Sequence, residues 1–382
     1  MAKKKTPVSV SDLAAETLTG VDEVVNFGER IARYGQARTR AVGMLDHLRD
    51  EDSPEATKAA AGLATCGNYL HFREYYTVGK VRLHSARFCK QHLICPMCAI
   101  RRGSKALGAY LDRWEVIREE RPELRAYLIT LTVKNGDDLE ERQEHLTGSL
   151  RTLMHRRRDF NAGTRGAPWT ELCNVEGAVY TLELTQKGKG WHPHCHMIAL
   201  CSSEPCQEAL SEEWKAITGD SFIVDVRPLS AFQDPAEGFM EVFKYAVKFS
   251  DLSLADNWHA AQVLKGKRLL NSFGLFRGVD VPESLLDEPL DNLPYWDRFY
   301  RYMNGIYQLT DESPKAKDQP RDDAGDLKNR SYVVTKPADL SQVKGGAAGL
   351  QPSPLTHSEQ KTLQRSALRP TGSERTRPAG GS

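Results

Sequence analysis

The 382-residue sequence holds no apolar run approaching the roughly 20 residues a membrane-spanning helix needs, so a membrane span is not expected. No apolar stretch follows the opening Met1-Ala2-Lys3-Lys4-Lys5-Thr6, which argues against a secretory signal. A G-x4-G-K-[ST] motif is missing, so no nucleotide-driven motor is expected. A dominant charge of one sign is missing as well. Lys and Arg total 52 against 51 Asp and Glu, a formal net charge of +1, although 27% of the residues are charged. That excludes a strong global field, and binding of a polyanion must rest on local basic patches. Cysteine is scarce, with eight residues in all. A reducing cytoplasm is then the expected location, disulfides are not expected, and a cluster of cysteines is read first as a metal site.

Four segments follow from composition. Residues 1–55 are polar and then helical, with intermittent apolar positions from Val24 to Leu48. Residues 56–122 hold four of the eight cysteines, and their last part, 103–120, suits a helix ending near Arg121-Pro122. Residues 123–309 alternate strand and helix patterns. Strands are expected at 125–134, 175–186, 191–201 and 222–227. Helices are expected from an Asp137 or Asp138 cap to about 158, at 204–218 and at 236–251. The order β-α-β-β-α-β-α predicts an α+β fold, an antiparallel sheet flanked by helices. From 310 to 382, Pro, Ser, Gly, Lys and Asp dominate and aromatics nearly vanish apart from Tyr332, so a disordered tail is expected. Candidate basic patches are Arg101, Arg102 and Lys105; Arg151 with Arg156-Arg157-Arg158; and Lys265, Lys267 and Arg268. Each alone also suits a solvated surface.

The sharpest local pattern is Trp191-His192-Pro193-His194-Cys195-His196, followed by Met197-Ile198-Ala199-Leu200. The apolar flanks predict a strand, in which alternate side chains share a face. His194 and His196 then point the same way, with Cα atoms about 6–7 Å apart, and can converge on one divalent metal. Cys195 points the other way as a small apolar filler. A histidine-rich strand without metal remains the alternative.

Residues 241–251, Glu241 to Asp251, contain no Gly or Pro. On a helix Glu241, Tyr245 and Lys248 fall at i, i+4 and i+7, on one face. A tyrosine between a carboxylate and an ammonium suits a nucleophile with helpers, and an ordinary amphipathic helix accounts for the same spacing.

Together and in this order, these segments resemble the active site of the HUH endonucleases, and more closely the rolling-circle replication initiators of small bacterial plasmids. Two further elements agree. Tyr127 to Asn135, an apolar strand bearing Thr130 and Thr132, resembles that family's first motif. The run from Phe88-Cys89 to Cys95-Pro96-Met97-Cys98, followed by Arg101-Arg102, resembles its cysteine segment. The resemblance covers roughly residues 60 to 310, and its motifs are specific in combination rather than singly.

The resemblance implies a ferredoxin-like or RRM-like palm with the histidine pair on a β-hairpin. It implies a third ligand on the neighbouring strand, where Glu183 stands eleven residues before His194. Glu183 also suits a plain cross-strand charge partner. Such a site fits Mn²⁺ or Mg²⁺, and zinc is not excluded. Tyr245 is the implied nucleophile, Lys248 its helper, and Glu241 a general base for a terminating hydrolysis. Origin DNA, single-stranded or cruciform, and host helicase and replication proteins are the implied partners. Cys66, Cys89, Cys95 and Cys98 form a candidate structural zinc site, with His92 competing for the place of Cys66. Cys173, Cys201 and Cys206 are expected in the core. Competing readings are an HUH transposase or relaxase, a zinc-binding DNA adaptor without chemistry, and a metal-dependent hydrolase of small substrates.

Overall fold

The computed structural model describes residues 22–186, 188–232, 235–244 and 248–315, so Tyr245, the first 21 residues and the segment from 316 onward lie outside the described residues. The expected palm is present. Strands β3 (Arg125–Thr132), β4 (Val175–Gln186), β5 (Trp191–Cys201), β6 (Val224–Pro228) and β7 (Leu270–Gly274) form one sheet in the order β6-β3-β5-β4-β7. Every neighbouring pair is antiparallel. Leaving β7 aside, this is the order of a β-α-β-β-α-β unit whose two crossover helices lie on one face.

Local chemistry explains the boundaries. Helix α4 (Leu139–Asn161) begins at Asp138, whose carboxylate accepts the Glu141 N–H at 3.0 Å. Helix α5 (Gln207–Thr218) stops at Gly219, which adopts a left-handed conformation at φ 76°. The β4–β5 hairpin turns at Gly188 and Gly190, with φ 70° and 86°. A Cβ at Gly190 would meet the Gly136 carbonyl oxygen at 2.6 Å, and Gly136 is hydrogen-bonded to Trp191 in both directions.

The two faces of the palm are covered differently. Ile129, Leu131, Cys195, Met197 and Ala199 point toward α4 and α5, where they pack with Leu146, Leu150, Leu210 and Trp214. The opposite face presents Leu128, Val179, Ile198 and Leu200. Onto it pack Tyr110 and Trp114 of helix α3 (Pro96–Glu120) and Phe239, Val242 and Phe243 of helix α6 (Pro235–Phe243). Phe239, Val242 and Phe243 are buried, and each side chain contributes about 1.5–3 kcal/mol toward holding α6 there. The Thr181 hydroxyl adds a buried hydrogen bond of 2.7 Å to the Val242 carbonyl.

A second sheet departs from the sequence reading. Helices α1 (Phe27–Arg49) and α2 (Pro54–Thr65) precede a hairpin of β1 (Tyr69–Tyr75) and β2 (Lys80–Ala86). β8 (Tyr295–Met303) and β9 (Ile306–Lys315) complete a four-stranded sheet in the order β2-β1-β8-β9. The segments drawn at 56–122 and 123–309 thus share a sheet, and residues 310–315 are strand rather than tail. Alternating buried positions, Leu70 and Phe72 with Val81 and Leu83, turn one face of this sheet to the core under α1. Helix α7 (Leu254–Val263) leads into β7. The helix expected over 236–251 is seen over Pro235–Phe243. Beyond it the Lys248 N–H bonds to the Lys244 carbonyl at 3.2 Å.

Candidate active site

The hairpin register places Glu183 directly opposite His194 and Thr181 opposite His196, while β3 places Thr132 and Thr130 beside the same histidines. Side chains paired across strands share a face, so Glu183, His194 and His196 converge, with donor atoms within 4.8 Å of one another. His194 Nε2 lies 3.0 Å from Glu183 Oε1, and His196 Nε2 lies 3.7 Å from Oε2. Lys248 also reaches this carboxylate, its ammonium bonded to Oε1. The sheet carries the three ligand candidates, and the segment after α6 brings the lysine to them.

Hydrogen bonds on the far side of each ring set its orientation. His194 Nδ1 faces the His192 carbonyl at 3.2 Å, and a carbonyl only accepts, so Nδ1 carries the proton. Nε2 then meets the Glu183 carboxylate through either a proton on the ring or a metal ion. His196 Nδ1 lies 3.1 Å from the Thr130 hydroxyl, a partner that can leave Nε2 free for the centre. Glu183 Oε2 is buried with no hydrogen-bond partner among the described residues. Two imidazole nitrogens and an orphaned carboxylate oxygen fit a divalent metal with positions left open.

The electrostatics agree. Burial pushes the Glu183 carboxyl up. The His194 hydrogen bond, the ammonium of Lys248 and the charge the two histidines carry when protonated outweigh it and hold the group at about 2. Burial lowers His196 to about 4, so its ring stays neutral and able to donate a lone pair across the physiological range.

Glu241, expected one turn before the nucleophile, is half-buried and pairs with Lys244 at 2.6 Å. Tyr180 is on the opposite face of β4 from Glu183, and burial pushes its hydroxyl up to about 12. Tyr300 belongs to the second sheet. Neither joins the cluster. Beside the site lies a cavity of about 610 Å³ lined by Thr132, Lys134, Lys189, His192 and the exposed Phe222 and Ile223. Sequence reasoning marked the threonine strand but read Phe222 and Ile223 as the start of a strand, which begins only at Val224 and leaves them in the loop before it. The signal for that loop was two apolar residues beside the polar Asp220-Ser221.

Cys66, Cys89, Cys95 and Cys98 form a second cluster, also within 4.8 Å. Cys66 follows α2, Cys89 follows β2, and Cys95 and Cys98 open α3. Cys66 stands 3.6 Å from Cys95 and from Cys98, and Cys89 stands 3.6 Å from Cys98. A tetrahedron of thiolates at the usual zinc–sulfur length of about 2.3 Å has edges of about 3.8 Å, so the spacing fits zinc. Cys66 takes the fourth place, and His92 stays out of the cluster.

Three other expectations need correction. Arg101 is not a surface cation. It is 2% exposed, bonded to Asp287, the Tyr34 hydroxyl and the Leu285 carbonyl. It faces inward because it follows Met97 and Cys98 by one helical turn. Arg157 is half-buried, donates to the Leu172 and Val175 carbonyls and covers the Phe273 ring. Cys206 is exposed rather than in the core, and Cys173 is only partly buried.

A sequence profile of the replication protein family matches residues 80–295, more than half of the chain. The chain belongs to the replication protein family. The matched span contains Cys89, Cys95, Cys98, Glu183, His194 and His196, and the resemblance read from the four motifs agrees with it. Similar curated proteins carry the name "Protein rep". One from Streptococcus pneumoniae serotype 2 is 29% identical over 234 residues, 56% of this chain and 69% of its own length. One from Staphylococcus aureus is 28% identical over 199 residues, 49% and 80%. One from Lactiplantibacillus plantarum is 27% identical over 263 residues, 62% and 77%. No solved structure matches. No helix among the described residues is long and apolar enough to cross a membrane.

Proposed function

We propose that this chain is a plasmid replication initiator that nicks and rejoins one strand of origin DNA through Tyr245. The observation that supports this most is the convergence of Glu183, His194 and His196 on the sheet face that also receives α6 and Lys248. Mn²⁺ or Mg²⁺ on the three ligands would supply Lewis-acid chemistry, drawing charge from the scissile phosphate.

The remaining steps belong to the chain. Tyr245 attacks phosphorus and forms a P–O bond. The bond to the 3′ oxygen breaks, and that oxygen leaves as a hydroxyl once protonated. The products are a 5′-phosphotyrosyl enzyme and a 3′-OH that primes synthesis. Bond energy is conserved, so rejoining needs no ATP. A free tyrosine, with a pKa of about 10, is a poor nucleophile at neutral pH. A nearby ammonium favours the phenolate, and this is the role of Lys248. Lys244 fixes the Glu241 carboxylate, four residues before Tyr245 in the sequence, and that carboxylate activates water for a final hydrolysis. The four cysteines hold a structural Zn²⁺, and an external helicase opens the duplex.

A labelled single-stranded origin oligonucleotide tests the reading. The wild type should give an SDS-resistant adduct that depends on Mn²⁺ or Mg²⁺, and Tyr245→Phe should give none. Glu241→Ala should keep first cleavage and impair termination; equal loss of both steps refutes that division. Turnover without any adduct would favour a hydrolase, and binding without either would favour an adaptor.

A further inference from the structure

Arg102 on α3 and the run Lys265, Lys267 and Arg268 after α7 lie far apart in the sequence. In the fold they line one cavity of about 490 Å³, together with His92. No Asp or Glu lines it. None of the four cations forms an ion pair among the described residues, whereas Lys80, Arg121, Arg142 and Arg227 each have a carboxylate partner. In a chain with a net charge of +1, four unpaired cations around an acid-free hollow are a local concentration, not a sample of the average surface. Burial, and then the charge of Arg102, lower the His92 imidazole, which marks the positive field inside.

The cavity adjoins the candidate active site. Its rim residue Leu270 pairs across the sheet with Thr181, and Thr181 pairs with His196. Two strand spacings, about 10 Å, separate this rim from the histidine strand. A neighbouring cavity of about 470 Å³ shares His92 and Lys265 and adds Lys58, Lys90 and the half-buried Trp258, with Glu55 its one carboxylate. Cations along a groove, with an aromatic ring beside them, are what a flexible polyanion with stackable bases requires. A folded acidic protein would need a flatter, broader face.

We propose that this cleft grips the backbone of single-stranded DNA flanking the scissile phosphate, through Arg102, Lys265, Lys267 and Arg268. The location rests on the nicking reading above, but the binding can be measured without chemistry. The full chain carrying Tyr245→Phe, with no Mn²⁺ or Mg²⁺ added, is titrated with a labelled single-stranded oligonucleotide across a range of salt. Adding Lys265→Ala, Lys267→Ala and Arg268→Ala should weaken binding about tenfold near 0.1 M salt. It should also make the slope of log affinity against log salt shallower by about 2, at about 0.7 for each phosphate no longer neutralised. A control lacking Arg49, Arg118 and Lys215, exposed cations elsewhere, loses the same charge and should keep the slope. An unchanged slope in the cleft variant, or an equal change in both, overturns the proposal. So does loss of duplex binding with single-strand binding intact. An adduct in the wild type with an unaltered slope sinks the cleft alone; the expected slope change with no adduct sinks the nicking reading alone.

Discussion

The four-cysteine cluster and the Glu183–His194–His196 cluster each bring their donor atoms within 4.8 Å, yet they are assembled in opposite ways. The cysteines come from three places, the end of α2, the loop after β2 and the start of α3, and their sulfur atoms turn toward one another. Four thiolates complete a tetrahedron and leave no position for a substrate, and the strength of such a site goes into holding its segments together. The second cluster sits on two adjacent strands that the sheet already fixes. It supplies three donors, keeps one oxygen orphaned and opens beside a cavity. A closed donor set ties segments, and an open set on a rigid sheet leaves room for a reactant.

That contrast can be broken most forcefully at the cysteines. Cys98→Ser should abolish bound zinc, read by native mass spectrometry, and lower the melting temperature by about 10 °C or more, because structural zinc contributes on the order of 10 kcal/mol in small domains. Unchanged zinc content and melting would remove the closed site from the comparison.

Asp287 provides a metal-free reference. It bonds Arg30 at 2.7 Å and also binds Arg101, two buried arginines on α1 and α3. Asp287→Asn should destabilise by about 3–5 kcal/mol in denaturant melts, since it strands two buried cations. Burial pushes the Asp287 carboxyl up, but the two guanidinium charges outweigh it and hold the group below the carboxylate range. Its folded pKa is therefore lower than its unfolded one. The contribution is complete above about pH 4 and fades as pH falls toward the folded value, so the variant should lose that part of the acid dependence.

Glu183→Gln should lower adduct formation on the order of 10³-fold while zinc content stays unchanged. A variant that loses zinc as well would mean that the two clusters are not independent. The smallest effect is expected from Thr130→Val. Without its partner the His196 ring is less well held, and Mn²⁺ affinity by calorimetry should fall about tenfold.

Much of the palm was legible in the sequence. The hairpin at 175–186 and 191–201 has its expected bounds, because Gly188 and Gly190 punctuate two runs of apolar alternation. The same turn sets the register that brings Glu183 opposite His194. The second sheet was not legible, although Leu70, Phe72, Val81 and Leu83 alternate. Its partner strands at 295–315 are too distant for any local pattern to announce the pairing. Cys66 and His92 both had workable spacing, and only the packing of α2 against the loop after β2 chooses between them. Arg101 and Arg102 look alike as letters. Helical phase separates them, one facing Tyr34 and Asp287 and the other an open cleft.

Gly103, five residues past Cys98 on α3, lies so near α6 that a Cβ there would stand 2.9 Å from the Phe243 carbonyl oxygen. The rod that begins in the thiol cluster therefore rests directly on the last turn before Lys244, on the way to the tyrosine. A larger side chain at position 103 would press α3 and α6 apart at this point, next to the segment that carries Lys248 to Glu183.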